Sequence, residues 1–263
     1  MADGVEALMV ELLFARPPEL DAEALAAAVR ETLPGTVAVD DPEQVILAHE
    51  DYPQELEDGT KPLLTVVMRP GEDAAAGPYD LSQSWAFAEK EGAAERAATT
   101  LLVAEMLGRG APLQDRVTAF KAALEAVVEQ TGPLAIWSAG GAELVPPERV
   151  GEHPLACLVN VRLFRVEDDE GACVLDTLGL HALGLPDFQL HFRELDPGEL
   201  AGHLRNLAAY AFEHGRAIES GHTISGPDGE GRWRLHLEEA LVAPQRPVLD
   251  IDPGPPYAAG ERD

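Results

Sequence analysis

Short apolar runs of strand length recur along this chain, broken by a few amphipathic helical patterns, in no regular strand–helix–strand order. A parallel sheet needs a crossover of a dozen or more residues, usually a helix, between successive strands. The pattern therefore argues against a doubly wound or barrel architecture. It predicts an α+β fold, a largely antiparallel sheet or sheets with helices packed on one face.

Residues 5–14 read as a first strand, ended by Arg16-Pro17-Pro18 because proline cannot donate to a sheet ladder. Asp21 is placed to cap a helix reaching about Leu33, with Leu25, Ala28 and Val29 on one side. Strands are expected at 36–40, 44–49 and 62–68, a loop at 71–78, a helix at 81–97 and a strand at 98–106. Leu113, Val117, Phe120, Leu124 and Val127 mark a helix over 113–130, followed by a strand at 134–138. The Gly- and Pro-bearing stretch 139–153 suggests a boundary between subdomains, giving 1–145 and 146–243. In the second half, 155–165 and 172–180 form a hairpin around the acidic turn Glu167-Asp168-Asp169-Glu170-Gly171. A strand at 187–193 follows, then a helix signalled by Asp196 as cap, Pro197 at its first position and Glu199. Strands near 222–225 and 232–238 come next. The last stretch, 244–263, is rich in proline and reads as an extended, surface-lying tail.

At 46% hydrophobic, the 263 residues can bury a sizeable core. With 47 acidic against 19 basic side chains, the net charge is −28. Phosphate backbones and anionic membranes repel such a surface, so neither nucleic acid nor membrane is an expected partner. A basic protein fits, as does solubility alone. No run approaches the ~20 apolar residues of a membrane helix. The start carries acids where a secretory signal has a basic region, so the cytoplasm is expected. Cys157 and Cys173 lack Cys-x-x-Cys spacing and read as small buried thiols outside any disulfide.

Neither Gly-x-Gly-x-x-Gly, Gly-x-x-x-x-Gly-Lys, Gly-x-Ser-x-Gly nor His-Glu-x-x-His occurs, and no cofactor or metal is expected. His181 and His191 could approach across strands near Asp176 and Asp187, but isolated histidines are the simpler reading. More specific is the strand 187–193. Phe188, Leu190 and Phe192 point one way, while Asp187, Gln189, His191 and Arg193 point the other. The second row suits a ligand-facing surface and equally a solvated sheet face. Asn160 and Arg162 share a face of the preceding hairpin, and a one-residue shift of register decides whether Asp176 lies beside Arg162. The candidate binding residues are thus Arg162, Asp176, Asp187, Gln189, His191 and Arg193, with no catalytic residue assigned.

The segment 159–193, with Val-Asn-Val-Arg-Leu-Phe-Arg and then Val174-Leu-Asp-Thr-Leu-Gly-Leu-His-Ala-Leu-Gly-Leu-Pro-Asp-Phe-Gln-Leu-His-Phe-Arg193, is the most distinctive. Together with Leu195-Asp-Pro, the 209–215 segment, Val248-Leu-Asp-Ile and Gln83-Ser84-Trp85, it resembles the bacterial domain-of-unknown-function family 4261. The resemblance is densest over about 158–226. It implies a bacterial cytoplasmic protein and transfers no catalytic residues.

The expected function is a non-enzymatic acidic protein-binding module, for example an immunity or antitoxin-like partner of a basic protein. One alternative is a small-molecule binder or hydrolase, with His191 as acid/base and Arg193 clamping an anionic group. The other is a structural subunit.

Overall fold

The computed structural model describes residues 7–57, 59–70, 76–106, 108–167, 169–215 and 217–260, and leaves out the side chain of Arg109. The first two residues of the expected opening strand, positions 71–75 of the expected loop, Asp168 of the acidic turn and the last three positions lie outside that set. The chain divides into two compact units, Val5–Leu158 and Val159–Asp263.

In the first unit the alternating runs make strands β1 (Met9–Phe14), β2 (Thr36–Asp40), β3 (Gln44–Leu56), β4 (Gly59–Met68), β5 (Thr99–Met106), β6 (Ala135–Ser138) and β7 (Glu143–Val145). They form one antiparallel sheet ordered β2-β3-β4-β5-β1-β6-β7. Helices α1 (Ala22–Arg30) and α3 (Leu113–Thr131) pack on one face and on each other. Asp21 caps α1 by accepting from the Ala24 amide at 3.0 Å. Gly132, at φ 57°, ends α3 in the left-handed conformation that glycine adopts without strain. On the helix-covered face, Val45, Leu47, Leu63, Val67, Leu101 and Val103 are buried. Arg116 of α3 meets Glu105 of β5 there in a buried bidentate pair, 2.7 and 2.6 Å.

The expected helix over 81–97 is only α2 (Lys90–Arg96), the preceding residues being turns. The buried Ser84 hydroxyl accepts from the Leu144 amide at 2.8 Å, which pins this segment to the β7 edge of the sheet. Phe87 and Ala93 pack there with Leu13, Ala135 and Leu144, covering the second sheet face over β1, β6 and β7.

The second unit contains β8 (Asn160–Arg165), β9 (Cys173–Leu178), β10 (Asp187–Phe192), α4 (Pro197–His214), β11 (Thr223–Ile224), β12 (Trp233–Glu239) and β13 (Pro247–Asp252). Its sheet is ordered β11-β12-β13-β10-β9-β8 and is antiparallel except for the β10–β13 pair. Helix α4 packs against β8, β9 and β10. The Asp196 side chain accepts from the Glu199 amide at 2.9 Å, as the capping pattern predicts. The stretch expected as an extended surface tail differs most: residues 247–252 are an inner strand, with Val248, Leu249 and Ile251 buried. Proline at the start of a strand is compatible with pairing. The alternation from Val248 to Asp252 then supplies two faces. Residues 146–158, expected with the second half, fall within the first unit.

Candidate functional site

The β8–β9 register puts Arg162 directly opposite Asp176. Asp176 faces Gln189 on β10, Gln189 faces Asp250 on β13, and Asp250 faces His236 on β12. Residues opposite one another share a face. One straight polar row therefore crosses five strands. The polar side of β10, expected from Asp187, Gln189, His191 and Arg193 to be solvated or ligand-facing, is buried at Asp187 and Gln189, as are Arg162, Asp176 and Asp250 of the row. The aromatic side of β10 is buried as well, with Phe188, Leu190 and Phe192 in the core. The strand is covered on both faces.

What covers the polar side is the segment 240–246. Its Ala243 carbonyl accepts from Arg162 Nη1 at 2.9 Å, and its Leu241 amide donates to Gln189 Oε1 at 2.7 Å. Its Arg246 enters the row from above. Arg246 Nε donates to Asp187 Oδ2 and Nη2 donates to Asp176 Oδ2, both at 2.8 Å. The remaining donors reach the carbonyls of Pro244 and Thr177, each at 2.8 Å. Arg162 holds the other side of Asp176 through Nε and Nη2, at 3.0 and 2.6 Å. Asp187 Oδ1 accepts from the Thr177 hydroxyl at 3.0 Å and the Leu180 amide at 3.1 Å. Two arginines thus face two aspartates, and each carboxylate oxygen has a donor. A buried charge is tolerable only when paired and hydrogen-bonded, as these are. Burial pushes the Asp176 carboxyl above its ordinary range, and the charges and hydrogen bonds of Arg162 and Arg246 pull it back.

The six expected residues do not converge. Arg162, Asp176, Asp187 and Gln189 belong to the row and its cover. His191 faces Val174 further along β10, and Arg193 lies beyond the strand. Residues 254–260 pair over that end, with the Arg193 amide donating to the Tyr257 carbonyl at 2.9 Å. The Arg193 guanidinium is half-exposed and meets Asp169 at 2.8 Å. His181 and His191 are held apart. His181 sits on the turn after β9, with Nδ1 3.0 Å from Asp187 Oδ2. Among the described residues, no group of three or more His, Cys, Asp and Glu side chains is arranged to hold a metal ion.

Sequence reading missed Arg246 and Asp250. The available signal was the alternation in Pro247-Val-Leu-Asp-Ile-Asp, with an arginine immediately before it, inside a stretch that proline content marks as tail. Next to the network lies a pocket of about 560 Å³, lined by His181, Leu185, Pro186, Ile218, Leu237 and Arg246 among others. His181 is partly exposed in it, and its ring is oriented by Asp187.

The family description "Domain of unknown function (DUF4261)" matches residues 176–252, the segment from Asp176 through Asp250 that supplies most of the row and its cover. This is the family that the sequence resembles. No curated protein and no solved structure matches the chain. Among the described residues, no helix is long and apolar enough to cross a membrane.

Proposed function

We propose that this chain is a non-enzymatic, acidic protein-binding module whose partner is a basic protein, in the manner of an immunity protein or antitoxin. The observation that supports it is the closure of the ionic row. Arg162, Arg246, Asp176 and Asp187 are bonded to one another and to backbone groups beneath the 240–246 segment. Of the six candidate residues, Arg162, Asp176, Asp187 and Gln189 are thereby internal framework, while His191 and Arg193 lie outside the row. The −28 net charge then favours a cationic partner, because charge complementarity steers encounter and suppresses wrong pairings. The proposal includes a bacterial, cytoplasmic setting, which the two free cysteines support, since reducing compartments keep thiols unpaired. The test is isolation of the partner from the native cell, then its affinity for the purified chain across salt concentrations. A basic partner whose Kd rises steeply with salt is expected. A partner without net positive charge, or turnover that depends on His191 or Arg193, overturns the reading.

The pocket beside His181 favours a second reading, a small-molecule binder. An Asp-oriented imidazole at the edge of an apolar cavity is a common ligand-recognition arrangement. Compounds that raise the melting temperature of wild type but not of His181→Ala would move the function there.

A further inference from the structure

The seven-stranded sheet of the first unit has two apolar faces, and among the described residues only part of the second is covered. Cross-strand register lays out the uncovered part as parallel rows. One row runs Val37–Ala48–Leu64–Met106. The next runs Val39–Ile46–Val66–Ala104–Met9. A third runs Gln44–Met68–Leu102–Glu11. Helices α1 and α3 lie on the opposite face, and the 79–97 segment stops over β1, β6 and β7. Val37, Val39, Met68, Met106 and Met9 are consequently between 41% and 53% exposed, and they make up half of the large apolar side chains exposed among the described residues. Scattered exposed apolar residues are ordinary; five on one sheet face, joined by less exposed Ile46, Leu64 and Leu102, are a patch.

Its size suits a protein. Five strands about 4.8 Å apart and about five residues long at ~3.4 Å each span roughly 400 Å². That is about half of the ~800 Å² each partner contributes to a standard interface. The other half must come from the rim, and the rim is acidic. The β2–β3 turn carries exposed Asp41 and Glu43, and exposed Glu50 follows Ala48 on the same face; Asp40, paired with Val45, turns to the helix-covered side. Arg69, next to Met68, is tied to Asp40 at 2.6 Å. Residues 5–158 hold 27 acidic against 10 basic side chains.

We infer that this open face, centred on Val39, Met68 and Met106, is the docking surface for a protein partner presenting apolar side chains ringed by lysine or arginine. The inference rests on the reading of the chain as a binder of a basic protein, and it names the surface that binds. A second copy of the chain is the poorer occupant, because face-to-face pairing sets the acidic rims against each other. An apolar centre with a charged rim is the usual anatomy of a specific interface, in which the centre supplies affinity and the rim supplies steering.

The test uses the full chain and two synthetic peptides of identical leucine and lysine content, one patterned as an amphipathic helix and one scrambled. Calorimetry should show the amphipathic peptide binding at least tenfold more tightly than the scrambled one. Val39→Asp and Met106→Asp should each weaken it at least tenfold, although each adds a negative charge; Val39→Thr, a milder change, should weaken it less. Circular dichroism melts check that the variants fold. Unchanged or tighter binding by both aspartate variants would mean that charge alone attracts the peptide. The face is then not the docking surface, while the cationic-partner reading stands. Failure of both peptides to bind wild type overturns that reading itself. A dimer in sedimentation velocity that Met106→Asp dissociates would seat a second copy on the face and overturn the cationic partner.

Discussion

Arg246 donates from Nε to Asp187 Oδ2 at 2.8 Å, with both side chains buried, and so ties the segment before β13 to the start of β10. Breaking a buried ion pair by removing one partner leaves an uncompensated charge, which costs about 3–5 kcal/mol. Arg246→Leu should therefore lower the unfolding free energy by about that much, since it strands both Asp176 and Asp187. Denaturant titration checks this. A loss within ~0.5 kcal/mol, typical of exposed sites, would mean the network is open to water.

Asp196→Ala should cost about 1 kcal/mol, the ordinary loss of a helix cap, because the Asp196 carboxylate satisfies the Glu199 amide at the start of α4. Asp196→Asn should retain most of that stability. The comparison of the two midpoints separates the cap hydrogen bond from a general charge effect.

His49 lies fully buried between two threonines, Nδ1 3.1 Å from Thr36 Oγ1 and Nε2 3.0 Å from Thr65 Oγ1. Burial lowers its pKa to about 4, against a weaker pull upward from Asp51. The unfolded chain takes up this proton near pH 6.5 and the folded one only near pH 4. The stability contributed by neutral His49 is thus complete above pH ~6.5 and lost as pH falls toward 4. The shift is worth about 3 kcal/mol at ~1.4 kcal/mol per pKa unit. Carboxylates titrate in the same range, so the measurement is the difference between wild type and His49→Gln. Their stability gap should shift by about that much in favour of the variant between pH 7 and pH 4.

The two thiols should differ in reactivity. Burial pushes the Cys157 thiol up to about 12, leaving almost no thiolate at neutral pH, whereas Cys173 is partly exposed. Ellman's reagent should label at most one thiol in the native protein and both after denaturation. In a Cys173→Ser variant, rapid native labelling should vanish. Rapid labelling of Cys157 would place it at the surface.

The sequence alone determined the local periods and their ends. The caps at Asp21 and Asp196, the five apolar positions of α3 and the two-sided alternation of β10 are each written within a few neighbouring residues, and the α+β class follows from their order. Tertiary structure decided what covers each face. Alternation shows that Asp187 and Gln189 oppose Phe188, but not that Arg246 and the 240–246 segment, more than fifty residues on, will lie over them. Burying charge depends on a counter-ion meeting it in space, and no local pattern encodes that meeting. The same limit hid β13, whose prolines look like tail until β10 and β12 offer it partners on both sides. It also hid the open sheet face. Val37, Ile46, Leu64 and Leu102 read as core in one dimension, because a strand that is apolar on both sides looks doubly buried. Only the order of strands and the side on which α1 and α3 settle leave that face open among the described residues.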